Sequence, residues 1–96
     1  MIFRKKEKLK YSIHLNDSDY KSVITLNGER DGDKINWSWN YSPDLIDLKT
    51  GYPRFLPGVD ILIHTIADGS TSLEELDKGF IEISFYGKCR VNKYSV

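Results

Sequence analysis

Two histidines and one cysteine are the side chains of this sequence that could bind a transition metal or act in nucleophilic catalysis. A structural zinc site normally takes four nitrogen or sulfur ligands, whereas His14, His64 and Cys89 lie far apart and form no metal-binding motif. A Cys–His nucleophile would require Cys89 to meet a histidine in space. We expect instead that Cys89 is a small buried hydrophobe and that His14 is an exposed ring. The sequence therefore predicts no metal site and no cofactor.

Six aspartates lie in predicted turns and loops, where carboxylates could serve a catalytic site, a calcium site or a partner. Their spacing does not match the EF-hand calcium loop, and nothing sets the separation that a glycoside hydrolase needs between its two carboxylates. Aspartate also suits hairpin turns for purely structural reasons. Because no catalytic constellation can be assembled, the sequence predicts a protein that is not an enzyme. These aspartates remain candidate partner contacts: Asp17, Asp19, Asp31, Asp33, Asp44 and Asp47.

The basic residues are concentrated at the two ends of the chain. Residues 1–10 carry five basic residues and one acidic residue, and residues 86–96 carry three basic and no acidic ones. The body, residues 11–85, carries 6 basic and 13 acidic residues. Basic residues interleaved with aromatic ones are typical of nucleic-acid binding, but the acidic body would repel phosphates and confine contact to the ends. Nucleic acid is therefore not the expected partner, and residues 1–9 are a candidate flexible basic tail.

The first half of the chain has the apolar/polar alternation of three antiparallel strands. Tyr11, Ile13 and Leu15 alternate with polar residues, and the runs "YKSVITL" and "KINWSWNY" each place their large apolar residues on one face. We predict a three-stranded β-meander with those residues facing a core. The opposite face, which carries His14, is predicted to face solvent.

Two turns set the predicted register of this meander. Asp31-Gly32 suits a two-residue type I′ turn, and a turn centred on Asp17-Ser18 would join the first two strands. These turns predict the following cross-strand pairs: Leu26–Trp37, Ile24–Trp39, Ser22–Tyr41, Leu15–Tyr20, Ile13–Ser22 and Tyr11–Ile24.

The stretch "INWSWNY" allows two interpretations of its aromatic residues. Trp37 and Trp39 could form an exposed platform that stacks on a sugar or a base, or they could face the core. The predicted register places aliphatic residues of two neighbouring strands on the same face as both tryptophans. Since a core needs that aliphatic backing and a platform does not, the core interpretation is favoured.

The second half of the chain contains a long connection, one ambiguous segment and a C-terminal hairpin. Prolines and glycines punctuate residues 42–58, a loop of a length at which partners often dock. The run "VDILIHTIA" fits both a helix and a buried strand, and its β-branched residues favour the strand. Ser72 begins a capping box, which predicts a short helix over residues 73–78. The segments "FIEISFY" and "KCRVNKYSV" predict two further strands.

These elements predict an α+β fold, mainly an antiparallel β-sheet with one or two short helices, in a single domain over residues 1–96. A lone cysteine favours a reducing compartment. The N-terminus has no apolar signal-peptide core, and no apolar run is long enough to span a membrane. We therefore expect a cytoplasmic protein, without membrane contact, that is a monomer or a weak dimer.

In its small size, acidic body and lack of a catalytic constellation, the chain resembles the small immunity and antitoxin proteins with which bacteria neutralise their own toxins. The resemblance covers the whole chain in general character and implies a protein–protein interaction that shields a toxin's active site, with basic nucleases among the candidate targets. The six aspartates would then contact the partner, with Tyr52 and Phe55 as aromatic anchors. The alternative is a small nucleic-acid- or carbohydrate-binding module that uses the basic ends and the aromatic residues.

Overall fold

The computed structural model describes residues 6–15, 22–53 and 57–96 and has an α+β fold. An antiparallel five-stranded sheet has the order β3-β2-β1-β5-β4, so β1 lies at its centre. The predicted fold class and N-terminal meander are confirmed. The elements are β1 (Glu7–His14), β2 (Val23–Asp31), β3 (Lys34–Tyr41), a 3-10 turn (Pro43–Leu45), α1 (Pro57–Ala67), α2 (Leu73–Asp77), β4 (Phe80–Ile83) and β5 (Gly87–Tyr94).

One face of the sheet carries the core, and both helices pack on it. The alternation predicted for the meander is confirmed, because the residues of β1, β2 and β3 that were expected to face the core do so. Trp37 and Trp39 are half-buried and pack against the same cluster, which confirms the core interpretation of the tryptophans. The fully buried side chains include Tyr11, Ile13, Leu15, Ile24, Leu26, Val59, Ile66, Leu76 and Cys89.

The pairings within the meander differ from the predicted ones by two residues. Leu26 lies opposite Trp39 and Tyr11, and Ile24 lies opposite Tyr41 and Ile13. The predicted pairs among described residues are therefore wrong, whereas the Leu15–Tyr20 pair and the Asp17-Ser18 turn lie outside the described residues. A shift of two residues preserves the side-chain face, because the strand period is two. This is why the predicted core face is correct although the predicted partners are not.

The β2–β3 turn explains the register error. The two residues between the paired Asp31 and Lys34 are Gly32 and Asp33. The φ of Gly32 is 65°, and Asp33 does not have a positive φ. A single positive φ at the first central position is the pattern of a type II′ turn with glycine there, instead of the type I′ turn expected at Asp31-Gly32.

The prediction of a strand for "VDILIHTIA" is wrong, since these residues form most of helix α1. Val59, Leu62, Ile63 and Ile66 are buried on one side of α1, which is the spacing of an amphipathic helix. His64 is exposed on the other side, where its Nε2 lies 3.6 Å from an oxygen of Asp60. A strand here would have buried only every second residue, whereas the helix turns its apolar side toward the uncovered core face of the sheet.

The Ser72 half of the predicted capping box forms, and both C-terminal strands are present, although the first ends at Ile83. Ser72 Oγ accepts a hydrogen bond from the Glu75 N–H at 3.3 Å, and α2 begins directly after Ser72. Gly79 has a φ of 91° just beyond the helix, a conformation that glycine adopts without strain at a helix end. The hairpin of β4 and β5 then completes the sheet.

The predicted basic tail overlaps the first strand. Residues 7–9 belong to β1, where Glu7 lies opposite Arg30 and Leu9 lies opposite Gly28. Residues 1–5 lie outside the described residues. Among the helices of the described residues, none has the length and apolar character to cross a membrane.

Candidate binding surfaces

The two residues considered for a Cys–His nucleophile lie on opposite faces of the sheet. Cys89 faces the core, is 1% exposed, and places its thiol 3.8 Å from the carbonyl oxygen of Leu15. His14 lies opposite Arg90 on β5, so it points to the other face. The prediction that Cys89 is a buried hydrophobe is confirmed, and these two side chains do not meet.

The prediction that His14 is an exposed ring is wrong, because it is 8% exposed. It lies on the central strand, where β2 and β5 flank it on both sides. Its Nε2 lies 3.1 Å from Ser12 Oγ and 3.2 Å from Asn92 Nδ2, and Ser12 Oγ lies 3.0 Å from the Tyr94 hydroxyl. We call these four side chains the polar cluster.

Among the residues that the structure describes, no three or more histidine, cysteine, aspartate or glutamate side chains are grouped so that they could hold a metal ion.

The predicted contact aspartates that the structure describes lie at two opposite ends of the sheet. Asp31 and Asp33 flank the β2–β3 turn, whereas Asp44 and Asp47 follow the other end of β3. Eight residues of strand separate these ends by about 25 Å. A contact surface that includes both pairs would therefore have to span the length of the sheet. Three other predicted contacts, Asp17, Asp19 and Phe55, lie outside the described residues.

Residues 46–53 form a closed loop that we call the projecting loop. Ile46 and Pro53 pair at its base. Within it, the Asp47 N–H donates to the Tyr52 carbonyl oxygen at 2.8 Å, and the Gly51 N–H donates to the Asp47 carbonyl oxygen at 2.7 Å. The carboxylate of Asp47 accepts from the Lys49 N–H at 2.8 Å. Asp47 thus holds the loop's conformation, a structural role that aspartate often has in turns.

The projecting loop presents two large apolar side chains to water. Leu48 is 93% exposed and Tyr52 is 73% exposed, while the neighbouring Leu45 is 6% exposed and fixes the start of the connection in the core. Tyr52 was predicted to be an anchor from its place in the long loop. Leu48 was missed, because the apolar run "LIDL" gives no indication of which leucine is buried.

The other face of the sheet is polar, and no described element packs on it. Because β1 pairs with β5, basic residues from the described parts of both ends of the sequence lie side by side on this face. We call it the lysine face, and its basic residues are Lys6, Lys8, Lys10, Lys34, Lys88 and Arg90. Its acidic residues are Glu29, whose carboxylate lies 3.1 Å from the Lys6 amine, Asp31, which lies opposite Lys34, and Glu82, which lies opposite Lys88.

The helical layer on the opposite side of the sheet is acidic. Residues 57–78 carry five acidic residues and one basic residue, and the acidic side chains of both helices are exposed. Most of the described basic residues of the two ends therefore lie on the side of the sheet opposite the acidic helices, whereas Lys93 lies on the helical side, 3.5 Å from Asp77.

Two aromatic side chains border the lysine face. The Lys10 amine lies 5.6 Å from the centre of the Tyr94 ring, and the Lys88 amine lies 4.3 Å from the centre of the Phe80 ring. Tyr94 and Phe80 are 43% and 40% exposed. Sequence reasoning included the segment "KCRVNKY" among the basic and aromatic candidates for nucleic-acid binding but did not name Tyr94 individually. Its alternation with Asn92 and Arg90 along β5 was the signal that could have placed it beside basic residues.

No protein-family model, no curated protein and no solved structure matches the chain. The geometry and chemistry of the projecting loop and the lysine face are therefore the basis for a functional proposal.

Proposed function

We propose that the chain is a non-enzymatic protein-binding module, an immunity- or antitoxin-like inhibitor that acts in the cytoplasm and neutralises a bacterial toxin by covering its active site. The projecting loop is the observation that carries this proposal. Leu48 and Tyr52 together expose apolar surface that burial against a partner would stabilise, at about 25 cal/mol per Å² removed from water.

The loop's own hydrogen bonds suit it to binding. A segment that is already ordered loses less conformational entropy when a partner docks than a segment that must fold on binding. Tyrosine is enriched among the residues that dominate binding energy, whereas leucine is under-represented. Tyr52 is therefore the main anchor, and Leu48 extends the apolar contact beside it.

In the described residues 44–53 and 57–60, three aspartates outnumber one lysine, Lys49, and this balance favours a basic partner. Asp44 is exposed just before the loop, and helix α1 after it has Asp60 in its first turn. Complementary charge accelerates association and excludes partners of the wrong sign. A basic toxin domain, such as that of a nuclease, would complement this acidic side of the protein.

The proposal is tested by affinity isolation from the source cell with the wild-type chain and with the Leu48→Ala/Tyr52→Ala variant. We expect the wild type to recover one protein in near-equimolar amount and to inhibit its activity. Calorimetry with the purified partner should show an affinity at least about tenfold weaker for the variant, since truncation of one anchor costs about 2 kcal/mol or more. Val96→Ala is the matched control, because Val96 is 75% exposed and lies beside Lys8 instead.

Three outcomes would overturn the proposal. The wild-type chain could recover no protein, or it could recover nucleic acid alone. A partner could also bind the double variant and the Val96→Ala control with equal affinity, which would exclude the projecting loop as the anchor.

A further inference from the structure

We infer that the lysine face is a binding site for single-stranded nucleic acid, and that it acts independently of the projecting loop. Among the described residues, six basic side chains share this side of the sheet with three acidic ones, Glu29, Asp31 and Glu82. Three of the basic residues, Lys6, Lys8 and Lys10, occupy alternate positions along one strand direction, so their spacing is about 6.6 Å. A regular row of cations matches a chain of phosphates better than it matches an isolated anion.

Two lysines of this row are available to phosphates. Lys6 pairs with Glu29, and the remaining ion pairs among the described residues use other cations. Lys8 and Lys10 therefore have no carboxylate within ion-pair distance in the described part of the chain. Replacing the water around them by phosphate oxygens releases counterions, and this release is the main source of affinity for nucleic acid.

Tyr94 supplies a stacking surface next to this row. It lies opposite Lys10 on the neighbouring strand, and its hydroxyl lies 3.0 Å from Ser12 Oγ. Ser12 and His14 are only 4% and 8% exposed. The hydrogen bond to the buried Ser12 therefore fixes the position of the tyrosine hydroxyl on the sheet. A ring in a fixed position beside a cation can stack on a base while the lysine contacts the adjoining phosphate.

Hydrogen-bonding side chains extend from Lys10 across the neighbouring strands, perpendicular to the row of lysines. Asn27 lies opposite Lys10 on one side, and Ser38 lies opposite Asn27 on β3. One row across four strands therefore contains a hydroxyl, an amide, an ammonium and a phenol. Amides and hydroxyls can hydrogen-bond the edges of unstacked bases, and such edges are accessible in single strands.

The distribution of charge weakens the sequence-based objection to nucleic acid. That objection was that the acidic body would repel phosphates and confine contact to the ends. In the fold, β1 and β5 are neighbours, and the acidic residues of both helices lie on the other side of the sheet. A phosphate chain on the lysine face is therefore separated from the helical carboxylates by the thickness of the sheet.

The experiment is a fluorescence-anisotropy titration of a labelled, mixed-sequence DNA oligonucleotide, about twelve nucleotides long, with the full chain at salt concentrations between about 50 and 200 mM. We expect Lys8→Ala/Lys10→Ala to bind about tenfold more weakly at the lower salt concentration and to have a log–log salt slope shallower by about 1.4, which is about 0.7 for each lost phosphate contact. Lys49→Ala/Lys78→Ala changes the net charge equally but lies outside the lysine face. We expect it to bind within about twofold of the wild type.

Tyr94 variants separate stacking from charge. Tyr94→Ala should weaken binding by about fivefold or more, the usual effect of losing one base–aromatic stack, while Tyr94→Phe should keep most of the affinity. Circular dichroism of each variant establishes that it is folded.

The inference is wrong if the wild-type chain gives no anisotropy change at about 100 μM protein, which is the weak end of non-specific binding. It is also wrong if both lysine pairs weaken binding equally. A third contrary result is that polyglutamate displaces the oligonucleotide efficiently and Tyr94→Ala has no effect, because the face would then suit an acidic protein. The projecting-loop variant should bind the oligonucleotide like the wild type, so this test fails or succeeds separately from the proposed inhibitor function.

Discussion

Gly28 lies beneath the indole of Trp37 at a point where a larger residue does not fit. The two residues are opposite each other on β2 and β3. A Cβ atom added at Gly28 would lie 2.7 Å from Trp37 Cζ3 and 2.9 Å from Cε3. Non-bonded carbons are most stable at about 3.5–4.0 Å. The close packing of Trp37 on the sheet therefore depends on the absence of a side chain at residue 28.

We predict that Gly28→Ala destabilises the protein. Replacing glycine can stabilise a fold by about 0.4–1 kcal/mol through the unfolded state, but overpacking of a core costs about 1–3 kcal/mol. We expect the second effect to dominate, so the free energy of unfolding should fall by about 1–2 kcal/mol. Urea denaturation followed by tryptophan fluorescence measures this change. Asn27→Ala on the opposite face of the same strand is the control. Equal stability of Gly28→Ala and the wild type would show that Trp37 does not pack on Gly28.

At the scale of individual residues, the sequence predicted the burial of those side chains whose facing follows from the two-residue period of a strand. Tyr11, Ile13 and Ile24 are buried as expected, because every second residue of a strand faces the same side. His14 and Leu48 were not predictable in this way. The burial of His14 depends on β5, which comes far later in the chain, and the exposure of Leu48 depends on how the projecting loop closes.

Helix α2 is short, and its first turn depends on a side-chain cap. It spans five residues, and a helix of this length does not form alone in water. Ser72 Oγ accepts one of the amide hydrogens that have no partner within the first turn. The long hydrogen-bond distance of 3.3 Å places its contribution near the lower end of the range for helix caps.

We predict that Ser72→Ala lowers the free energy of unfolding by about 0.5–1 kcal/mol. Ser72→Asp should retain the wild-type stability, since aspartate is an equally good cap. Thermal and urea denaturation of both variants, with Ser38→Ala on the open sheet face as a control, provide the measurement. If Ser72→Asp were as destabilised as Ser72→Ala, the capping role would be excluded.

At the scale of whole elements, a helix or strand could be located from the sequence wherever the chain carries a specific local signal for it. The capping box located α2, and alternation located the strands of the meander. Helix α1 was missed, because a short apolar run rich in β-branched residues has similar local preferences for helix and strand. The sheet decides between them: its core face needs a continuous apolar cover, which one side of α1 supplies.

Contacts between the helical layer and the sheet hold the whole molecule together, and they include two polar contacts to Asp77. The Tyr11 hydroxyl donates to Asp77 Oδ1 at 2.7 Å, which joins the centre of the sheet to the end of α2. The Lys93 amine lies 3.5 Å from the same oxygen. Burial, together with the hydrogen bond to the Asp77 carboxylate, raises the pKa of Tyr11 far above its ordinary value.

This pKa shift predicts a loss of stability in alkaline solution. In the unfolded chain Tyr11 ionises near its usual pKa of about 10, whereas in the folded protein it keeps its proton. Its contribution to stability is therefore complete below pH 10. Above that value the contribution falls by up to about 1.4 kcal/mol per pH unit, because the unfolded state loses a proton that the folded state retains.

We predict that the free energy of unfolding of the wild type decreases more steeply above pH 10 than that of Tyr11→Phe. Urea denaturation between pH 8 and 11.5 measures the free energy of unfolding of both proteins. Subtracting one from the other cancels the contribution of the other tyrosines, which both proteins share. At neutral pH, Tyr11→Phe should cost about 1 kcal/mol through the lost hydrogen bond. Tyr52→Phe, at an exposed site, is the control. Parallel curves for the wild type and Tyr11→Phe would contradict the role given to this contact.

The sequence by itself determined the features that depend on neighbouring residues: the strands of the meander and their core face, the cap of α2, and the basic ends around an acidic body. Tertiary structure decided the register, because a shift of two residues changes the partners but not the face. It also made a helix of α1, since the sheet requires a cover there. Finally, pairing of β1 with β5 converted two distant basic segments into one face opposite the acidic helices, because β-pairing joins residues without regard to their separation along the chain.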